Sequence, residues 1–222
     1  MSDLELVAVW MAVLAVGLGT CVMLRGLGLA TTYVRDLLHV GAGVWIFGWP
    51  YWDGALVPAA LTLAAMLAVI AVPLVAPRLG LAARLRDAVS DGVELWDGLI
   101  VYVAAYVALT TLGLTGARFP AAAGLFALAL GDGLGGAIGR RFGRHRYQAP
   151  WGKTKSVEGS VAVAAAAAVG VGLAARLFGQ PVDASTVVFL GVLAAIVEAS
   201  APRSTDNLLV PAAVWAGASL LT

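Results

Sequence analysis

The chain has 222 residues, 61% of them hydrophobic and 12% charged, with a mean hydropathy of +0.92 and a formal net charge of +1. A water-soluble domain carries about twice that charged share and could not hide so much apolar surface. The one cysteine, Cys21, excludes an internal disulfide and a thiolate metal centre. The composition therefore predicts an all-α integral membrane protein forming a single domain over residues 1–222.

The N-terminus, MSDLELVAVW, carries Asp3 and Glu5 where a signal peptide needs basic residues, so the first apolar run, residues 4–24, is expected to stay as a helix. Runs of about 17–20 apolar residues match the thickness of a bilayer. A second span is expected over 31–49, with Arg35, Asp36 and His39 on its polar end and Pro50, Tyr51 and Trp52 as an interfacial stop. Arg35 and His39 stand one helical turn apart and share a face. The third span covers 55–75. Over 78–98, Leu79, Leu81, Leu85 and Val89 fall at roughly helical spacing with Arg84, Arg86 and Asp87 between them. That pattern predicts an amphipathic surface helix, with Asp91, Glu94 and Asp97 on a solvated face. Further spans are expected over 99–114, 119–138, 161–178, 186–199 and 208–221, giving a bundle of about eight, with a basic loop over about 139–158.

Alternating eight spans puts Arg25, Arg35, Arg78, Arg84, Arg86, Arg140, Arg141, Arg144, Arg146, Lys153, Lys155 and Arg203 on one side, and only Arg118 and Arg176 on the other. The positive-inside rule then places the basic loop in the cytoplasm and both termini outside. Asp53 and Asp183 fall on the outer side and read as loop residues.

The stretch 131–160, GDGLGGAIGRRFGRHRYQAPWGKTKSVEGS, holds the strongest local signal. An ionised carboxylate inside a bilayer costs roughly 2.5–3.5 kcal/mol and faces an interior cavity. Asp132 is such a residue, about 20 Å along its helix from Phe119. Gly131, Gly135 and Gly139 recur at four-residue steps and let a second helix approach. Asp132, Gly136 and Arg140 form a parallel stripe. Six Arg or Lys follow within sixteen residues, interleaved with Gly143, Gly152 and Gly159. Magnesium sites pair one or two carboxylates with phosphate oxygens, and phosphoryl transfer adds cations on the non-bridging oxygens. Asp132 with Arg140, Arg141, Lys153 and Lys155 supplies those groups. Arg35 with His39, Glu198, and Asp206-Asn207 lie on the same expected side, where Ser204 or Thr205 could cap the last helix. Gly152-Lys153-Thr154 has the ending of a P-loop. Tyr147 occupies the upstream glycine position and no strand is expected before it, so that reading is rejected.

GDGLGGAIGRRFGRHRY followed by KSVEGS resembles the polyprenol kinase family: phytol, farnesol and dolichol kinases and the CTP-dependent diacylglycerol kinases, relatives of the phosphatidate cytidylyltransferases. The shared pattern is Gly131-Asp132, Gly139-Arg140 to Gly143, Lys155-Ser156 and Gly159-Ser160. Arg35-Asp36-Leu37-Leu38-His39 is similar to an early Arg-Lys-x-x-His motif, with Asp in place of Lys. Glu198, Asp206-Asn207 and Pro211 match an acid, Asp-Asn and Pro near the C-terminus. The resemblance implies a kinase-like domain that phosphorylates a membrane-embedded isoprenoid alcohol with CTP, or ATP, and Mg2+. It implies that Asp132 holds the metal with Glu198 or Asp206. Arg140, Arg141, Lys153, Lys155, Ser156, Gly159 and Asn207 would bind the nucleotide. Arg35, His39 and Asp132 are the catalytic candidates, and either His39 or a carboxylate would take the alcohol proton. The expected partners are the lipid alcohol, a nucleoside triphosphate and the bilayer, with no nucleic acid. The expected location is a prokaryotic cytoplasmic membrane. Two other readings are a cytidylyltransferase, suggested by Lys153-Thr154 and Glu158-Gly159, and a non-enzymatic transporter. The first lacks its long charged C-terminal signature here, and the second lacks visible inverted repeats.

Overall fold

The computed structural model describes residues 1–90, 93–202 and 204–222. Asp91, the Glu94 side chain and Arg203, all part of the expectations above, lie outside the described residues. The helices are α1 (Asp3–Gly26), α2 (Thr31–Ala42), α3 (Leu56–Val75), α4 (Gly80–Val89), α5 (Val93–Thr115), α6 (Arg118–Phe126), α7 (Gly133–Phe142), α8 (Val157–Phe178), α9 (Ala184–Ser200) and α10 (Asp206–Leu221). A 3-10 segment, Gly43–Tyr51, extends α2, and a π-helical segment, Ala127–Asp132, joins α6 to α7. α1, α3, α5, α8 and the α6–α7 rod are long and apolar enough to cross a membrane. α9 and α10 are apolar but have 17 and 16 residues. The protein is an all-α membrane protein carrying one small hairpin.

The acids at the N-terminus have a local cause. Ser2 accepts from the Glu5 amide at 3.3 Å and Glu5 accepts from the Ser2 amide at 2.8 Å, a reciprocal cap on α1. Asp183 caps α9 in one direction only, its side chain accepting from the Thr186 amide. Bonds from the Ser185 hydroxyl and the Thr186 amide and hydroxyl hold its carboxyl down at about 2. It is therefore a helix cap rather than only a loop residue.

Burial separates core from periphery among helices of similar apolarity. The α6–α7 rod is 67% buried, whereas α1 and α3 are 11% buried and show leucines and valines to the surroundings. The rod can sit inside because its residues are small. Ala121, Ala122, Ala123, Ala127 and Ala129 are fully buried, and α8, α10 and α5 pack closely around them. A Cβ added at Gly135 would lie 2.2 Å from Cγ2 of Val163, and one added at Gly139 would lie 3.3 Å from Cα of Gly159. The glycine stripe is thus the seam between α7 and α8, as a small-residue packing motif requires. The π segment ends on Asp132, and such wide turns recur at functional sites.

Four expectations need correction. The basic segment is not a loop over 139–158: α7 continues to Phe142 and α8 starts at Val157. Between them β1 (Arg146–Gln148) and β2 (Thr154–Ser156) pair antiparallel, with Tyr147 opposite Lys155. A strand therefore does precede Gly152-Lys153-Thr154. The P-loop is still absent, because β1 leads into a hairpin and not into a helix. The surface helix is confined to α4, and α5 begins at Val93, extending the expected fourth span. Neither Ser204 nor Thr205 caps α10 with its side chain; Thr205 donates instead to the Pro202 carbonyl at 2.6 Å.

Gly135→Ala is expected to lower stability in detergent by about 1–3 kcal/mol through overpacking. Gly172→Ala in α8, where a Cβ meets nothing within 4 Å, is expected to be neutral or slightly stabilising. Thermal unfolding of the two variants checks the seam.

Candidate active site

The hairpin folds over the crossing of α7 and α8 and encloses a cleft of about 460 Å³. α7 contributes Gly136, Gly139 and Arg140. The hairpin contributes Arg146, Lys153, Lys155 and Ser156. α8 contributes Gly159 and Ser160, and α9 contributes Glu198. Ser156 is the N-cap of α8, its hydroxyl accepting from the Gly159 amide at 3.2 Å. The positive end of α8 therefore joins four cations, Arg140, Arg146, Lys153 and Lys155, around one space, which suits an anion. Glu158 turns away from it. It accepts from the amides of Arg144 and His145 and pairs with Nδ1 of His145 at 2.6 Å, bracing the chain between α7 and β1.

Three of the cleft-side cations are matched to carboxylates. Arg140 pairs with Asp36 and lies over the Tyr33 ring, 5.2 Å from its centre. Lys155 pairs with Glu198, which is only 6% exposed. Lys153 pairs with Asp206 at 3.2 Å. Removing one partner of a buried pair strands the other charge, which costs about 3–5 kcal/mol. The carboxylates also sense one another: the charges of Asp132 and Asp206 both act on Glu198. No ready group of three His, Cys, Asp or Glu ligands stands together among the described residues. The donors nearby are hard carboxylate oxygens, which fits a magnesium ion that takes its remaining ligands from phosphate and water.

A second polar group lies behind the cleft. His39 is 2% exposed. Its Nδ1 is 2.9 Å from the Arg35 carbonyl, which can only accept, so Nδ1 carries the hydrogen. Nε2 of the neutral ring then presents a lone pair, 3.3 Å from Oδ2 of Asp132. Asn207 lies beside the ring and is 1% exposed. Its amide nitrogen donates to the Gly98 carbonyl at 2.9 Å. Nε2 of His39 and Oδ1 of Asn207 are buried and lack a hydrogen-bond donor. Two buried acceptors thus lie beside a carboxylate that is 26% exposed, an arrangement that suits a ligand bearing a donor or a positive charge. Tyr102 fixes the backbone here: its hydroxyl donates to the His39 carbonyl at 3.1 Å and its ring lies 4.1 Å from the imidazole.

The expected site residues thus fall into two groups. Arg140, Lys153, Lys155, Ser156, Gly159 and Glu198 line the cleft, with Asp206 reaching it through Lys153. His39, Asp132 and Asn207 form the acceptor group. Arg35 leans over Gly98 of α5, where its charge acts on His39. Arg141 lies outside the cleft lining, near the Phe142 ring. Asp36, Tyr33 and Arg146 were not singled out as site residues from the sequence. Asp36 had a signal, since it stands where the resembling family has Lys. Arg146 had none beyond membership of the basic cluster.

No family model matches the sequence, and no solved structure matches the fold. A phytol kinase from Synechocystis sp. is 33% identical over 90% of this chain and 86% of its own length. The chain belongs to the phytol kinase family. It is a lipid alcohol kinase.

Lys155→Met should lower stability by about 3–5 kcal/mol by leaving Glu198 buried and unpaired, and adding Glu198→Leu should recover most of that loss. Unfolding of the single and double variants in detergent measures the coupling.

Proposed function

We propose that this protein transfers the terminal phosphoryl group of CTP, with ATP as the alternative donor, to the hydroxyl of a long-chain isoprenoid alcohol such as phytol or a polyprenol. The observation that carries the reading is the cationic cleft together with the buried, unpartnered Nε2 of His39 and Oδ1 of Asn207 beside Asp132. A transporter has no need of that combination.

Binding of the triphosphate draws Lys153 and Lys155 off Asp206 and Glu198 and onto phosphate oxygens, with Arg140 and the start of α8 holding the same chain of oxygens. Arg141, exposed near the rim, adds to the field that draws the nucleotide in. The freed carboxylates, with Asp132, are the residues that would hold Mg2+. The ion would neutralise charge on the bridging phosphates. The alcohol enters between helices with its tail left among the spans. Its hydroxyl donates its one proton to Nε2 of His39, with Asn207 packed beside the ring. As the oxygen bonds to phosphorus, its proton passes to His39, the bond to the nucleoside diphosphate breaks, and that diphosphate leaves with the electron pair. Asp132 beside Nε2 stabilises the imidazolium that forms. Arg35 holds the other ring nitrogen through its carbonyl and is read as a positioning residue.

We further infer eight passes with both termini outside and the cleft in the cytoplasm. The α2 segment with its 3-10 extension, α9 and α10 supply the three passes beyond the five long ones. α9 is about 25 Å long at 1.5 Å per residue, near the short limit for a span. Arg118 and Arg140 stand at opposite ends of the α6–α7 rod, and Ser156 and Arg176 at opposite ends of α8. This supports a single cationic side.

Purified protein given CTP labelled at the alpha or the gamma phosphate, with a panel of prenols and with phosphatidate, tests the reaction. Gamma label in a prenol is expected. Alpha label in a phosphatidate product, or no label in any lipid with either nucleotide, overturns the proposal. His39→Gln should lower kcat about 10²–10⁴-fold with little change in the nucleotide KM. Asp132→Ala that inserts normally yet keeps near-normal rates would remove Asp132 from the mechanism.

A further inference from the structure

A nucleoside triphosphate brings an aromatic base as well as phosphates, and the cleft lining holds no aromatic residue. Three aromatic side chains stand close by. Tyr33 has a face covered by the Arg140 guanidinium. Tyr147 is half-buried, with its hydroxyl 2.7 Å from that of Ser160. The third is Trp151, at the turn of the hairpin, two residues before Lys153.

Trp151 is unlike the other tryptophans of the chain's interior. Trp49, Trp52 and Trp96 are buried to 0%, 4% and 8% exposure, whereas Trp151 is 70% exposed. It is nevertheless held in place. Its indole N–H donates to the Ser200 carbonyl at the end of α9, 3.1 Å away, and the hairpin closes beneath it through the Ala149 amide and the Lys153 carbonyl at 2.8 Å. Its backbone lies in the left-handed region at φ 66° and ψ 20°, which a bulky residue adopts only where its surroundings impose it. The result is a broad aromatic face with a fixed tilt. Lys155 stands four positions further on, so the two Cα atoms lie at most about 14 Å apart.

We propose that Trp151 is the platform on which the base of the phosphoryl donor stacks, with the phosphates running past Lys153 and Lys155 to the start of α8. The inference rests on the nucleotide-dependent kinase reading and adds a base subsite to it. Stacking on one face tolerates any base, so Trp151 contributes affinity for the nucleoside without choosing between CTP and ATP. The competing occupant of this face is the lipid headgroup layer, where tryptophans also gather.

The test compares Trp151→Ala and Trp151→Phe with the unaltered protein, in detergent and in vesicles containing anionic lipid. Nucleotide KM, alcohol KM, kcat and inhibition by inorganic tripolyphosphate are measured together. Trp151→Ala should raise the nucleotide KM about tenfold. Inhibition by tripolyphosphate, which has no base, should stay unchanged, and Trp151→Phe should restore most of the affinity. Equal weakening of nucleotide and tripolyphosphate would assign Trp151 to hairpin structure and overturn the proposal. So would an unchanged nucleotide KM in detergent combined with altered activity only in vesicles, which assigns the ring to the membrane. Absence of nucleotide turnover in the unaltered protein would instead overturn the kinase reading itself.

Discussion

The site depends on the close crossing of α7 and α8. A side chain at either Gly139 or Gly159 would meet the backbone of the other, at 3.3 Å and 3.0 Å, so the two helices touch backbone to backbone there. Within a bilayer this approach is stabilised by dispersion and small-residue fit rather than by the hydrophobic effect. It brings the last turn of α7, which carries Arg140, against the first turn of α8, which carries the amides of an anion site. It also leaves the intervening chain only enough room for a short hairpin, and that hairpin delivers Lys153 and Lys155 to the same space. A looser crossing would separate the cations and open the cleft.

Electrostatics then explains why so many charges tolerate each other near a membrane. Arg140 with Asp36, Lys155 with Glu198, and Lys153 with Asp206 neutralise one another. Such pairing offsets the cost of removing charge from water. His39, Asp132 and Asn207 follow a different rule. Nε2 of His39 and Oδ1 of Asn207 are buried without a donor, an arrangement that stays costly until a ligand supplies one, and the Asp132 carboxylate beside them is 26% exposed.

Much of this was legible in the residues. The membrane class follows from composition, and Asp132 announces itself as a carboxylate inside an apolar run. Arg35 and His39 show their shared face by spacing alone, and the four-residue glycine stripe shows that a helix packs there. The hairpin was not legible, because three-residue strands have too few alternations to reveal a period, and they lie inside a segment dominated by charge. Asp36 is marked in the sequence only as an Asp where the resembling family has Lys. Its bond to Arg140 joins residues 104 positions apart, which no local pattern encodes. The tautomer of His39 likewise depends on where the Arg35 carbonyl and the Asp132 carboxylate fall in space. Trp151 carries no signal in the sequence; its exposure, left-handed backbone and anchored indole appear only in the structure.

The sequence by itself determined that this chain lives in a membrane, which residues would be polar within it, and which family pattern they follow. These rest on transfer free energies and helical periodicity, which act residue by residue along the chain. Only the tertiary structure decided how the charges are partnered, that the basic segment folds as a hairpin over a cleft, and that His39 turns a bare lone pair toward Asp132. Those features arise from contacts between distant elements, set by the crossing of α7 and α8, and the order of residues along the chain does not contain that geometry in any local form.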